Sequence, residues 1–149
     1  MIISEVLRKR GTNVVTVATT ITVGDLLNTL ADLNIGCAVV SDSAGRIDGI
    51  VSERDVVRHL ATDPALLEQA VATIMVTEVT TCSPGADLED VARVMTEQRI
   101  RHIPVVEAGR LINIVSIGDV VKNRLDQLQD ERDHLMNYVS TAEGLTPPR

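Results

Sequence analysis

Aromatic side chains are nearly missing from this 149-residue chain, which has one Tyr, no Phe and no Trp. That removes the stacking platforms on which single-stranded nucleic acid is held. Positive charge is short as well: 14 Lys and Arg face 21 Asp and Glu, for a net charge of −7. With no basic run to neutralise phosphates, nucleic acid is not an expected partner. No apolar stretch reaches the ~18 residues of a membrane span, so no membrane is expected either. The opening segment MIISEVLRKRG is too short in its apolar part, and ends too basic, for a secretion signal. Only Cys37 and Cys82 are present, both in apolar surroundings, which gives no disulfide framework and points to a reducing cytoplasm. His59, His102 and His134 lie at no metal-ligand spacing, so no metal and no obligatory cofactor are expected. What remains is an aliphatic chain, 44% hydrophobic and 23% charged, long enough to bury a sizeable core.

The chain repeats itself. AGRIDGIVSERDVV, starting at Ala44, aligns with AGRLINIVSIGDVV, starting at Ala108, with nine of fourteen positions identical at an offset of 64. Upstream the offset becomes 65, pairing Thr16 with Thr81, Asp25 with Asp90 and Ile35 with Ile100. Two copies are too few for a solenoid and predict a pseudo-symmetric pair. In each copy a short β run comes first, Val14 to Val17 in copy one. A helix follows, striped by Val23, Leu26, Leu27 and Leu30, or by Leu88, Val91, Ala92 and Met95. Thr22 and Asp87 stand at its N-cap. Two β runs then flank a turn, Cys37 to Val40 with Arg46 to Val51, and His102 to Val106 with Arg110 to Val115. A second helix starts at Ser52 or Ser116. The predicted fold class is therefore α/β, two pseudo-symmetric β-α-β-β-α repeats forming one module with an extended C-terminal helix. The expected divisions are an N-terminal helical segment 1–10, repeat one 11–60, a helical connector 61–76, repeat two 77–125 and a helical tail 126–149.

The tail helix is expected to reach about Val139, before Pro147 and Pro148. Val121, Leu125, Leu128, Arg132, Leu135 and Val139 fall at alternating four- and three-residue steps, a heptad seam with one Arg in it. Such a stripe either lies on its own domain or meets a second subunit or partner; the expectation is a homodimer, the commonest closed assembly.

Chemistry concentrates where the third strand of each copy enters a helix, in GIVSERD from Gly49 and NIVSIGD from Asn113. Ser52 with Asp55, and Ser116 with Asp119, form a Ser-x-x-Asp pair close to a capping box, which needs no ligand. The same place attracts anions, and a carboxylate there can accept both hydroxyls of a ribose. Occurrence in both copies favours the second role. No Gly-x-x-x-x-Gly-Lys loop, Ser/His/Asp set or His-linked carboxylate pair is present, so catalysis is not expected.

The repeated unit, the turn glycine before its third strand and the ending G-h-x-S/T-x-x-D resemble a tandem pair of CBS domains, a Bateman module, over residues 11–125. The stretch GRLINIVSIGDVVK followed by a charged helix is similar to small stand-alone bacterial CBS-pair proteins. The resemblance implies a non-enzymatic sensor of adenosyl ligands (AMP, ADP, ATP, NAD(H) or S-adenosylmethionine), with two clefts between the repeats and face-to-face dimers. In the first cleft it places Ser52 and Asp55 on the ribose, Arg54 at the phosphate, and backbone from Val79, Thr80, Arg101, His102 and Ile103. In the second it places Ser116 and Asp119 on the ribose, with Gly11 to Val15 (Gly11, Val14 and Val15 foremost) and Gly36, Cys37 and Ala38 walling the adenine. Copy two departs from copy one, carrying Asn113 for Gly49 and Gly118 for Arg54. Gly118 loses a phosphate partner but bares backbone N–H groups, so the clefts are expected to be unequal, to the point that one can stand empty. The competing reading is an adaptor or structural dimerisation protein with vestigial clefts. The regulated partner is not legible.

Overall fold

The computed structural model describes residues 1–11 and 14–142, with side chains through 139. Helix α1 spans Ile3–Arg10 and precedes the first repeat. That repeat comprises β1 (Thr16–Val17), α2 (Val23–Leu33), β2 (Cys37–Val40), β3 (Gly49–Ser52) and α3 (Glu53–Leu60). The second comprises α4 (Leu88–Gln98), β4 (His102–Glu107), β5 (Arg110–Ser116) and α5 (Ile117–Ala142). The α2 and α4 N-caps form as the sequence implies. Thr22 Oγ1 accepts from the Asp25 amide at 3.1 Å, and Asp87 Oδ1 accepts from the Glu89 amide at 2.9 Å. Both helices end in a left-handed residue, Asn34 at φ 52° and Arg99 at φ 56°. Asn tolerates that conformation, whereas Arg is uncommon in it.

β1 pairs parallel to β2, and β2 antiparallel to β3. β4 and β5 pair antiparallel, and Cys82 bridges to Val105 in the parallel sense, as Val17 does to Val40. β3 begins at Gly49 rather than at Arg46. Backbone and side chains together hold the preceding turn: Asp48 N–H donates to the Val40 carbonyl at 2.9 Å, Asp48 Oδ2 accepts from the Asp42 amide at 2.9 Å, and Asp42 accepts from the Thr19 amide and hydroxyl. The expected helical connector is instead two 3₁₀ turns, Leu66–Glu68 and Val71–Thr73. Gln69 and Ala70 between them are extended, and Ala70 bridges to Thr22, which prevents a continuous helix.

Each repeat has its own core, and each core is completed by the segment preceding the other repeat. Leu66, Val71 and Ile74 bury against Val23, Leu26, Val40 and Val51 of the first repeat. Ile3 and Val6 of α1 bury against Leu88, Met95, Ile103 and Val115 of the second. Backbone bonds fasten both. Val71 N–H donates to the Ile21 carbonyl at 2.8 Å, and Ile3 N–H to the Ala86 carbonyl at 2.9 Å. The N-terminal segment is thus not a separate part but a member of the second core.

α5 turns Val120 and Asn123 inward. Its seam residues Val121, Leu125, Leu128, Leu135 and Val139 are all exposed, so the helix does not lay this stripe on its own module. Among the described residues no helix is long and apolar enough to cross a membrane. Pro147 and Pro148 lie outside the described residues.

Candidate functional site

Both Ser-x-x-Asp pairs fold into capping boxes. At the first corner Asp55 Oδ2 accepts from the Ser52 amide at 2.8 Å and hydroxyl at 3.0 Å, and Ser52 Oγ accepts from the Asp55 amide at 3.4 Å. At the second the corresponding distances are 2.9, 3.0 and 3.2 Å. Capping uses only one oxygen of each carboxylate. A carboxylate offers about four lone-pair sites, so a capping aspartate retains acceptor capacity.

The first corner opens onto a cavity of about 610 Å³, within the usual range for small-molecule sites. Ser52, Arg54 and Asp55 line it from the start of α3, and Val79, Thr80, Arg101 and His102 line it from the second repeat. Ile103 does not; it is buried in the second core. Gly36 and Cys37, assigned from sequence to the second cleft, open onto this same cavity, as do Ser116 and Gly118. The strand register explains both displacements. Cys37 pairs with Ser52, and His102 with Ser116, so each strand start sits beside the helix start of its own repeat. Ala38 faces the first core instead. Gly118 is not a steric requirement, since a Cβ there would meet Ser116 Oγ at an ordinary 3.5 Å.

Asp119 is not among the cavity-lining residues. Arg10 Nη1 lies 2.5 Å from its Oδ2, and Arg10 Nη2 lies 2.8 Å from Asn113 Oδ1. Asn113 Nδ2 donates to the Gly11 carbonyl at 3.1 Å. Val14 and Val15 are half-buried, and Val15 packs against the first core. Thr12 and Asn13, the middle of the expected adenine wall, lie outside the described residues.

Sequence reasoning missed two cationic residues of the cavity. Arg58 lies four residues after Arg54 on α3, a spacing that puts both on one helix face and could have revealed it. Arg99 comes from the left-handed end of α4, where repeat one has Asn34, and no local pattern marks it. Arg54, Arg58, Arg99 and Arg101 thus surround the cavity with Glu53, Asp55 and Glu78. Among the described residues none of the four arginines is in an ion pair. Burial, opposed by the carboxylates of Asp119 and Glu53, holds the His102 imidazole below its usual range. The Cys37 thiol is pushed up to about 12, first by burial and then by the Asp55 carboxylate, so it is not a reactive thiolate.

The chain matches the CBS domain family model twice, over residues 3–62 and 71–126. It is similar to the crystal structure of the CBS-domain containing protein ATU1752 from Agrobacterium tumefaciens, with 39% identity and a TM-score of 0.81. That match covers 83% of this chain and 99% of the other. The CBS domain pair of protein MJ0100, solved in complex with 5-methylthioadenosine and S-adenosyl-L-methionine, shares the fold at a TM-score of 0.74 and 22% identity, over 85% and 98% of the two chains. The protein MJ1225 of Methanocaldococcus jannaschii is 30% identical over 110 residues, 74% of this chain, and this chain spans 39% of its length.

Proposed function

The chain belongs to the CBS-domain family, whose pairs are regulatory modules, and we propose that this one senses an adenine nucleotide in the cavity at its first Ser–Asp corner. One observation carries the reading. A single cavity joins the Ser52–Asp55 corner to the unpaired guanidiniums of Arg54, Arg58, Arg99 and Arg101. The ribose hydroxyls donate to Asp55, which Ser52 holds in place. Adenine lies among the aliphatic side chains of Ile50, Val76, Val79 and Ile100, which suits a chain almost without aromatics. The arginines take the phosphates, for which planar guanidinium is well shaped. That favours AMP, ATP or NAD(H) over an adenosyl ligand lacking phosphate. The solved pair with bound 5-methylthioadenosine and S-adenosyl-L-methionine supports the adenosyl class. The walls come from both repeats, so a bound nucleotide braces one repeat against the other, and the module acts by changing shape rather than by chemistry.

The module works as a homodimer in the cytoplasm, in this reading, with the exposed seam of α5 set against a second copy. The same seam is what favours the competing reading, an adaptor whose clefts are vestigial. Thermal melting with AMP, ATP and NAD+ separates the two. A ligand of the folded state at about 100 times its Kd adds ~2.7 kcal/mol and raises the midpoint. An unmoved midpoint with all three leaves the adaptor. Light scattering that gives the mass of one chain, 16.1 kDa, removes the homodimer.

A further inference from the structure

We propose that Arg10 is the resident occupant of the second Ser–Asp corner and thereby limits the module to one nucleotide per chain. This rests on the reading of the first corner as a ribose site. The two corners cap their helices alike, but Asp119 Oδ2 carries a third donor, Arg10 Nη1, in addition to the amide and hydroxyl of Ser116. Asp119 Oδ1 keeps acceptor capacity just as Asp55 Oδ1 does, so what sets the corners apart is the guanidinium lying against the carboxylate, not a shortage of lone pairs. A ribose hydroxyl approaching Asp119 meets the guanidinium where the first corner leaves Asp55 open.

Arg10 is held in that position from several directions. It ends α1, whose Ile3 and Val6 are fixed in the second core. Gly11, at φ 88°, turns the chain directly after it and donates its N–H to the Leu7 carbonyl at 2.9 Å. Asn113, only 2% exposed, receives Arg10 Nη2 on Oδ1 and grips the Gly11 carbonyl through Nδ2. The Arg10 and Asp119 side chains are 30% and 17% exposed, so solvent screens the pair only in part. The first repeat has no such device. At the offset of 65 Met75 stands for Arg10, and at 64 Gly49 stands for Asn113. No cation and no amide reach Asp55 by that route.

Isothermal titration of AMP into the full chain tests this. Wild type takes up one equivalent, and Asp55→Ala weakens that event roughly ten- to hundred-fold. Arg10→Gln takes up two, and Arg10→Gln with Asp55→Ala retains one, weaker than wild type because Gly118 offers no phosphate partner. Arg10→Lys, which keeps the charge, stays at one. Removing a charge-assisted blocker should strengthen the second event roughly ten-fold or more. Two equivalents in wild type, or a single event in Arg10→Gln that Asp55→Ala weakens as it does in wild type, overturns the proposal and leaves the first site standing. No binding in any variant brings down the first-site reading and this one with it. A ligand-free measurement guards against misfolding: in Asp119→Asn the Gly11 amide should exchange several-fold faster while the Val115 amide is unchanged. Equal exchange at Gly11 overturns the latch by itself.

Discussion

The two Ser–Asp corners, 64 residues apart, differ by no more than about 0.2 Å in their capping distances. Their surroundings differ far more. At the first corner Gly49 lets the lead-in strand come close: Ile50 and Val76 exchange both backbone bonds, at 2.9 and 2.8 Å. A Cβ at Gly49 would lie 2.9 Å from the Val76 carbonyl oxygen and 2.8 Å from Met75 Sδ. At the second corner Asn113 makes the equivalent connection through its side chain, and Arg10 comes with it. A local motif determines the cap. What lies against the cap is set by residues distant in sequence, at the second corner by Arg10, 109 positions from Asp119.

Exchanging residues between the corners tests that contrast, and the largest effect should come from Gly49→Asn. Backbone and Met75 block the new side chain, so urea denaturation should show a loss of ~3 kcal/mol or more, overpacking joined to a buried amide. The reverse exchange, Asn113→Gly, opens no clash but strips partners from Arg10 and from the Gly11 carbonyl. The same measurement should show a loss of about 1–3 kcal/mol. Next comes ribose recognition. Asp55→Ala should weaken AMP binding roughly ten- to hundred-fold, whereas Asp119→Ala should leave it unchanged, each costing about 1 kcal/mol as a lost cap. Arg54→Ala, read by the same titration, should weaken AMP more than adenosine, because only AMP carries a phosphate.

A smaller effect follows pH. Burial keeps His102 below its ordinary value of 6.5 in the folded chain. The unfolded chain therefore binds that proton more readily, and the contribution to stability is complete above pH 6.5 and lost as pH falls below it. Urea midpoints should decline from pH 7 to 5.5 with a shallower slope in His102→Gln. The smallest effect belongs to α5. Among the described residues Asn123 Oδ1 is buried without a partner, whereas Nδ2 donates to the Asp119 carbonyl at 2.7 Å. Asn123→Leu should change the melting temperature by no more than a few degrees, upward if relief of the orphan oxygen outweighs the lost bond.

The periodic parts of this fold were readable. Val23, Leu26 and Leu30 bury as their spacing requires, and Thr22, Asp87, Ser52 and Asp55 cap where their types predict. β3 begins three residues later than its apolar run because 46–48 belong to a turn closed by the Arg46 N–H to Ser43 carbonyl bond and by the Asp42 and Asp48 side chains. Of the cavity, Ser52, Arg54 and Asp55 were legible in the first copy of the motif, whereas Ser116 and Gly118 of the second copy were expected in the other cleft. Arg99 was not legible, since its role depends on a left-handed helix end that favours Asn. Arg10 was not, since nothing within its own segment marks Asp119 as its partner, 109 residues away.

The crossing of the two lead-in segments has a consequence for how the molecule is made. During synthesis α1 appears before either repeat, yet its docking groove includes Leu88, Met95, Val115 and Val120. The first repeat, by contrast, can close once Ile74 has been synthesised. The helix made before either repeat is therefore the last to settle, after nearly the whole second repeat exists, and its contacts carry a long loop-closure cost. Until then Ile3 and Val6 are bare, and a second nascent or newly released copy offers them the same groove. Exchange of α1 between copies is the misassembly this topology invites, and Arg10, reaching Asp119 only when α1 lies home, is the contact that registers its completion.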